Sequence, residues 1–394
     1  MTNTTNTTAV NTRINKTFYD RQLLESAKTR FVFAKYGQKR SIPRNSGKQV
    51  EFRRWNLFDP KDALSGLQEG VTPTGQTLTQ SAVEATVSQY GAYVEVSDLL
   101  DMTGYDRVIN DSVELLGEQL GSVIEWVTRD EICSGSNVQY ANGKTERAAL
   151  TASDTLTLTE IRKAVRTLKS AKARMFSDNG RKPHFICICS PDAVYDLQND
   201  PNWQDVSKYS NAEQIYSGEI GRMFGVVFVE STEAKTYTPQ IHATVGADST
   251  VTTVNLSSPL TASQVAFLKN GGTVSIGSLS EIAVNTENLT AGASAITLAK
   301  ALDDAPLADT VIISDDAGEN GTEVQATLVF GKDAYGVISI DGSDVIESII
   351  KPCGSSGTAD PLNQRATVGA KVAAYTAKIL NDLWIVRIEH GVSE

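Results

Sequence analysis

Three glycines beside an apolar run are the first residues whose spacing could do chemistry. Ile215 to Ser231 reads IYSGEIGRMFGVVFVES and contains Gly218, Gly221 and Gly225. A phosphate-binding loop needs the order strand, glycines, helix, because the helix N-terminus must point its free N–H groups at the phosphate. Here helix-like residues precede the glycines and the run VVFV follows them, and the spacing matches neither GxGxxG nor a P-loop. We therefore expect these glycines to end a helix and turn the chain.

The cysteines and histidines could bind a metal or attack a substrate only in particular arrangements. Cys187 and Cys189 alternate along a predicted strand, whereas a structural zinc site usually pairs cysteines at Cys-x2–4-Cys spacing. The histidines form no HExxH pair: they are His184, His242 and His390. No serine lies in a GxSxG elbow, and the acidic turn DDAGENGTE lacks EF-hand spacing. The sequence therefore predicts buried, unreactive cysteines, with no metal, no cofactor and no catalytic residue.

A predicted helix that opens with TLTE carries a group of cations. Thr157 is expected to cap this helix and Glu160 to complete a capping box, while Ile161, Val165 and Leu168 form its apolar face. The other face has six basic residues: Arg162, Lys163, Arg166, Lys169, Lys172 and Arg174. Such a stripe could face an anion, but a solvated helix face is the commoner case, and we favour it.

Charge is distributed unevenly over a chain of ordinary globular composition. The 394 residues are 40% hydrophobic and 21% charged, which predicts two or three folded domains. The net charge of −11 disfavours a protein whose main task is gripping nucleic acid. Arg13 to Arg54 nevertheless has a net charge of +9, and Ile241 to Phe330 one of −8, so the two regions are expected to meet different surroundings.

Location is constrained by what the sequence lacks. The four cysteines are few for this length, which favours a reducing compartment over a disulfide scaffold. The start MTNTTNTTAVNT resembles no secretory signal, and no apolar run is long enough to span a bilayer. The chain is expected to be soluble and not exported by that route.

A long hairpin without its own core is the main feature of the N-terminal quarter. A polar tract of about twelve residues and a basic amphipathic segment, Phe18 to Tyr36, come first. Lys48 to Trp55 alternates as a half-exposed strand, and a second extended stretch runs from Ser81 to Ser97. Between them lie roughly 25 residues of turn chemistry, far more than a usual hairpin loop. We expect this hairpin to project and to be stabilised by a neighbouring molecule.

Helical and strand patterns alternate through the rest of the chain. An apolar stripe predicts a long helix: Ile109, Val113, Leu116, Leu120, Ile124 and Val127. HFICICS predicts a buried strand, and Ser190 with Pro191 predicts the start of the next helix. Short β-like runs between residues 238 and 325 predict a small all-β module inserted in an α/β domain. Helical text around Lys371 and the strand LWIVRIEHG close the chain.

The order of these elements resembles the major capsid proteins of tailed bacteriophages, within the N4-like group. The residues that carry the resemblance are LQEGVTPTGQTLT, VSQYGAYVEVSDLLDM, GRMFGVVFVES, FGKDAYGVISI and WIVRIEHG. The resemblance implies an α+β chain with the Hong Kong 97 type phage capsid fold and an inserted small all-β domain. It assigns an N-terminal arm to 1–44, an extended loop to 45–97 and a peripheral domain with a spine helix to 98–180. An axial domain with return strands takes 181–237 and 326–394, and the inserted β domain takes 238–325.

The implied function is that of a non-enzymatic major capsid protein. It would assemble with copies of itself into hexamers and pentamers of a closed icosahedral shell around the phage genome. The implied partners are a separate scaffolding protein, a portal protein, a possible decoration protein and, by non-specific contact only, packaged double-stranded DNA; no membrane is implied. The expected location is the virion, and the host cytoplasm before assembly.

Contacts between subunits are expected from charged and apolar residues of the extended loop. They are Glu51, Arg53, Arg54, Trp55, Leu57, Phe58, Lys61 and Glu69. Two alternatives stay open at the level of sequence: an encapsulin-like shell subunit, which shares the fold but encloses enzyme cargo, and a surface-binding β adhesin. The adhesin is suggested by the β insert and opposed by the missing export signal.

Overall fold

The structure is a computed structural model of the chain. It describes residues 31–43, 45, 47–55, 58, 60–64, 70, 72, 75–103, 108–177, 183–200, 203, 219–277, 279–340, 346–355 and 362–393. The chain is mixed α+β and divides into two compact units. One comprises Met1–Ile132 and Asp333–Leu380, and the other Cys133–Lys332 and Asn381–Glu394. Within the described part of the chain, no helix has the length and apolar character needed to cross a membrane.

The first unit is built on a long strand near the C-terminus. Its helices are α1 (Phe33–Tyr36), α2 (Asp98–Thr103) and α3 (Val108–Cys133). Its strands are β1 (Gln38–Ile42), β2 (Gln49–Trp55), β3 (Gln80–Thr86), β4 (Ser88–Ser97), β17 (Tyr335–Ile340), β18 (Glu347–Lys351) and β19 (Arg365–Ile379). β19 pairs antiparallel with β17, β18 and β4, and β1 adds parallel to β17. β2 and β3 form a separate antiparallel pair.

The predicted apolar stripe of the long helix is confirmed in α3 from Val113 to Ile124, whereas Val127 is half-buried and the Ile109 side chain lies outside the described residues. Val113, Leu116, Leu120 and Ile124 are buried, as residues spaced by three or four positions on one helix face should be. The helical text expected around Lys371 is wrong, because these residues belong to β19. Pairing on both edges of β19 outweighs the helix propensity of its alanines.

The second unit contains a mixed sheet covered by two helices. The helices are α4 (Leu158–Ser170) and α5 (Pro191–Asn199). The strands are β5 (Val138–Tyr140), β6 (Phe185–Cys189), β7 (Glu219–Met223), β8 (Val226–Glu230), β9 (Lys235–Tyr237), β16 (Val324–Phe330) and β20 (Ile385–His390). The order is β5-β20-β16-β6-β8-β7, with β9 also pairing with β16. Apolar residues of α4 and α5 share one core with β6, β8, β16 and β20.

Helix starts in this unit separate a confirmed prediction from a wrong one. Ser190 caps α5 by accepting a hydrogen bond from the Ala193 N–H, with Pro191 in the first turn, as expected. Thr157 precedes α4 but makes no side-chain capping bond. The Glu160 carboxylate is buried and instead accepts hydrogen bonds from Gln139 (2.6 Å) and Lys163 (2.8 Å). A capping box fails here because the glutamate has stronger partners elsewhere.

The glycine-bearing stretch is a β-hairpin, so its predicted role as a helix end is wrong at Gly221. Gly221 lies within β7, where a side chain would meet the Trp203 ring at 3.1 Å. The turn at Gly225 is confirmed, since Phe224 and Gly225 connect β7 to β8 with φ values of 52° and 78°. Gly218 lies outside the described residues.

Residues between β9 and β16 form a second sheet with its own apolar core. The strands are β10 (His242–Thr244), β11 (Thr253–Asn255), β12 (Thr273–Ile276), β13 (Leu279–Asn285), β14 (Ala295–Leu298) and β15 (Val311–Ser314). Their order is β10-β15-β12-β13-β14-β11. The stretch also contains helix α6 (Ala262–Lys269), which begins with a capping box of Thr261 and Gln264. The expectation of an all-β module is therefore wrong, and its status as an inserted domain stays a prediction.

His390, at the end of β20, is buried and neutral. Burial lowers the pKa of its imidazole, more than the Gly391 carbonyl and the nearby Asp196 and Glu389 raise it. Nδ1 lies 2.8 Å from the Gly391 carbonyl, which can only accept, so Nδ1 carries the proton. Nε2 then accepts from the Thr327 hydroxyl at 2.9 Å.

Acid should therefore destabilise the subunit through His390. A group whose pKa is lowered by folding contributes stability above its unfolded pKa of about 6.5, and this stability is lost as the pH falls through the folded pKa. As the pH falls from about 6.5 towards the lower folded pKa, we expect the free energy of unfolding to fall by up to about 1.4 kcal/mol per pH unit, because only the unfolded state then binds the proton. His390→Gln should remove this part of the acid slope in denaturant titrations. An unchanged slope in His390→Gln would contradict the assignment.

Candidate functional site

The β2–β3 hairpin is built as the sequence predicts. Pairing runs from Gln49 opposite Thr86 to Trp55 opposite Gln80 without a register shift. Along β2 the side chains alternate, with Phe52 buried and its neighbours Glu51 and Arg53 exposed. The predicted second stretch is two strands, since β3 ends at Thr86 and β4 begins at Ser88 to pair with β19.

The base of the hairpin has apolar support that sequence reasoning missed. Phe52 and Ala85 share a small core with Ile42 of β1 and Ile338 of β17. Gly336 allows this contact, because a side chain there would lie 2.6 Å from the Phe52 ring. The expectation that the hairpin has no core of its own unit beneath it is therefore wrong at its base. The expectation stays a prediction for the connection between Trp55 and Gln80.

Two of the predicted contact residues on β2, Glu51 and Arg53, form an exposed charged pair. Glu51 and Arg53 pair with each other, with 2.7 Å between Arg53 Nη2 and Glu51 Oε2. The pair is open to solvent, and exposed pairs of this kind can exchange partners at little cost. Arg54 and Trp55 complete β2, with their backbones opposite Ser81 and Gln80.

The connection between the two strands exposes large apolar side chains. Phe58 is 50% exposed, Leu64 82% and Leu78 61%. Lys61 is exposed in a single turn of 3-10 helix, Pro60–Ala63. The other two predicted contact residues, Leu57 and Glu69, lie outside the described residues. Large apolar side chains exposed along one segment are typical of a surface that another molecule covers.

A buried carboxylate on α3 holds the chain that leads into the hairpin. Glu125 is fully buried and accepts three backbone N–H bonds from the start of α1. Its oxygens lie 3.0 Å from Val32 N, 2.7 Å from Phe33 N and 3.1 Å from Ala34 N. A carboxylate at a helix N-terminus satisfies donors that have no partner within the helix and opposes the positive end of its dipole.

Two tyrosines and a threonine complete this arm anchor, our name for Glu125, Thr128, Tyr335 and Tyr375 with α1. Tyr335 donates to the Phe33 carbonyl at 2.6 Å, and the Thr128 and Tyr375 hydroxyls lie 2.7 Å apart. Burial raises the pKa of both phenols, so they stay protonated and able to donate. The anchor fixes the position of α1, which precedes β1 and the hairpin. A glutamate within an apolar helix stripe was the one signal for it in the sequence.

In the second unit, a buried ion cluster ties the second sheet to the first. Arg147 binds the fully buried Glu389 through two hydrogen bonds of 2.7 Å and lies 3.5 Å from the centroid of the Tyr237 ring. It also donates to the Asp316 carbonyl at 3.3 Å. Arg387 Nε lies 2.8 Å from the same carboxylate, close enough for an ion pair but not angled for a hydrogen bond. These groups are bound to one another and carry a structural role.

Residues that might have done chemistry are placed in cores. Cys187 and Cys189 are fully buried in the core under α4 and α5, and burial raises the pKa of the Cys187 thiol. A raised pKa keeps the thiol protonated and unreactive. Searched over the described residues, the chain brings no three His, Cys, Asp or Glu side chains together as metal ligands would be. His184 is buried beside Phe176.

The chain matches a known family and several solved structures. Residues 128–330 match a family model described as phage capsid protein. The fold is similar to the capsid protein of Cyanophage P-SCSP1u, with 15% identity, a TM-score of 0.52 and coverage of 92% of this chain and 88% of that chain. It is also similar to the capsid of Ralstonia phage GP4, with 11% identity, a TM-score of 0.57 and coverage of 91% of this chain and 88% of that chain. The capsid of Cyanophage Pam1 is 13% identical, with a TM-score of 0.54 and coverage of 92% of each chain. No curated protein matches the sequence.

Proposed function

Because the chain belongs to the phage capsid protein family, we propose that it is the major capsid protein of a tailed phage of the N4-like group, with the Hong Kong 97 type arrangement. The chain is a structural subunit of a capsid, and this role needs no catalysis. In this proposal copies assemble as hexamers and pentamers of an icosahedral head around the genome. The five-part division of the chain given above belongs to the same proposal.

The exposed apolar side chains of the hairpin connection are the observation that supports self-association most strongly. Phe58, Leu64 and Leu78 have their surfaces open to solvent although the base of the same hairpin is anchored by Phe52. Burying such side chains on a neighbouring subunit contributes about 1.5–3 kcal/mol each. We assign the rim of this contact to the charges of Glu51, Arg53, Arg54, Lys61 and Glu69, and its apolar centre to Trp55, Leu57 and Phe58.

The remaining partners follow from the shell itself. A separate scaffolding protein, a portal protein and a possible decoration protein would contact it, and the basic N-terminal segment would touch DNA or neighbouring subunits. We place the acidic residues 238–325 on the outer face, away from packaged DNA. A reconstruction with this region on the inner face would refute that placement. Subunits would gather in the host cytoplasm before entering the virion.

The proposal is tested by electron microscopy of the purified chain over a range of concentrations, with and without crowding agents. We expect closed shells or capsomers, with the hairpin connection covered by an adjacent subunit. A chain that stays a compact monomer under all these conditions, and in infected cells, would refute the proposal.

A further inference from the structure

The outward face of α4 carries three cations without ionic partners. Arg162, Arg166 and Lys169 are exposed at positions i, i+4 and i+7, while the opposite face of the helix enters the core. Lys163 is already bound to Glu160 at 2.8 Å. Across the described part of the chain, no carboxylate forms an ion pair with any of the three. A positive stripe is therefore available to a partner.

These cations border a groove with an apolar wall. Its volume is about 660 Å³, and Val165 and Phe224 line it together with the cations. Phe224, 45% exposed, is at the tip of the β7–β8 hairpin, and Arg162 lies 5.3 Å from the centroid of its ring. We call this the α4 groove.

Phe224 occupies a backbone position that does not suit it. Its φ of 52° and the φ of 78° at Gly225 are those of a two-residue turn that favours Asn-Gly. A phenylalanine in the left-handed region is strained, and nearly half of its surface stays open to solvent. Its presence indicates that the ring serves a contact outside the subunit.

The chain carries a segment of complementary chemistry between β14 and β15. In residues 301–310, Asp303, Asp304 and Asp309 are exposed, and Leu307 is 80% exposed. Backbone bonds hold the segment to its own sheet: Leu302 N to Val251 O and Asp309 N to Val245 O, both 2.9 Å. We call it the acidic loop. Of the residues described as lining the α4 groove of the same chain, none belongs to this loop.

We propose that the acidic loop of one copy docks in the α4 groove of another, with Leu307 against Phe224 and the carboxylates against Arg162, Arg166 and Lys169. The inference rests on the proposed function, since it requires association of copies. Three carboxylates meet three cations around one apolar contact on each side. DNA phosphates would satisfy the cations but leave Phe224 exposed, which favours the protein partner. Because the two surfaces differ, the contact is head-to-tail and can close a ring.

A charge exchange tests the pairing. Arg162→Glu with Arg166→Glu, or Asp303→Lys with Asp304→Lys, should each slow assembly at least about tenfold at low salt, because like charges then face each other. The four changes together should restore the rate to within about threefold of wild type, because opposite charges again meet. Equal slowing in the combined variant would overturn the proposal. Unchanged assembly with weaker DNA retention in the Arg162/Arg166 variant would assign the groove to nucleic acid and also overturn it.

Phe224→Asn separates docking from folding. Asparagine suits the left-handed turn, so the subunit should melt at the same or a higher temperature while assembly slows. Assembly at the wild-type rate would contradict the role of the ring.

Cross-linking reads the contact without requiring a complete shell. Phe224→Cys with Leu307→Cys in a Cys353→Ser background leaves only the buried native cysteines, Cys133, Cys187 and Cys189. Mild oxidation of the concentrated protein should link separate chains into a series of cross-linked oligomers. A variant with either cysteine change alone should not form this series. If wild type forms shells but this pair does not cross-link, the docking inference fails and the proposed function stands. If cross-links form and no shell is ever found, the docking contact stands and the proposed function fails.

Discussion

Deletion of residues 57–78 is expected to give a folded subunit that no longer assembles. The cut removes Phe58, Leu64 and Leu78, whose exposed surfaces are the apolar contacts proposed for the hairpin connection. Losing about 4 kcal/mol or more of this burial lowers a contact's association constant by about a thousandfold. Size-exclusion chromatography and electron microscopy should show subunits or small oligomers where wild type gives shells.

The pairing of β2 and β3 makes this deletion clean. Trp55 is opposite Gln80, so Asn56 and Thr79 become a two-residue connection, and Thr79→Gly turns it into the favoured Asn-Gly turn. The melting temperature should stay near that of wild type, because Phe52 and the core at the hairpin base are untouched. A matched control replaces 57–78 by the same number of Gly and Ser residues, which should also fail to assemble. Particles of normal size from either variant would refute the role of the connection.

Replacing Glu125 by alanine is expected to have the largest effect on the subunit itself. Three N–H groups of α1 would lose their acceptor inside the protein, at a cost of about 3 kcal/mol. Equilibrium unfolding in denaturant should show this loss. Tryptic cleavage after the exposed Lys35 of α1 should accelerate, because the helix opens more often.

Two further substitutions define the cause. Glu125→Gln keeps one acceptor oxygen and should lie between wild type and Glu125→Ala. Glu114→Gln changes an exposed glutamate of the same helix and should stay within about 0.5 kcal/mol of wild type. If Glu125→Ala unfolds at the wild-type denaturant concentration, the arm anchor does not stabilise the first unit.

Local patterns predicted the elements whose environment repeats along the chain. The alternation in KQVEFRRW placed Phe52 inward, and the apolar spacing of α3 placed Leu116 and Leu120 in the core. The partners of these residues could not be predicted, because Phe52 meets Gly336 and Glu125 meets Val32 across long sequence separations. The contact roles assigned to the loop residues stay predictions.

Two similar motifs show where local rules stop. Thr157 with Glu160 and Thr261 with Gln264 both have capping-box spacing, yet only the second pair forms the box. Gln264 is half-buried, and its side-chain oxygen accepts from the Thr261 N–H at 2.8 Å while its nitrogen donates to the Gln240 carbonyl. The Glu160 carboxylate is instead drawn into a buried site by Gln139 and Lys163. The helix α6 that follows Thr261 was missed although the signal for it was present.

The small core at the base of the hairpin also determines when a newly made chain can hold its hairpin in place. Phe52 is synthesised early, but Gly336 and Ile338, against which it packs, are added more than 280 residues later. Because synthesis runs from the N-terminus, an incomplete polypeptide has strands β2 and β3 but lacks the residues of β17 against which they pack. In the proposed shell, truncated translation products would therefore not join the assembling subunits, so they would not block further growth.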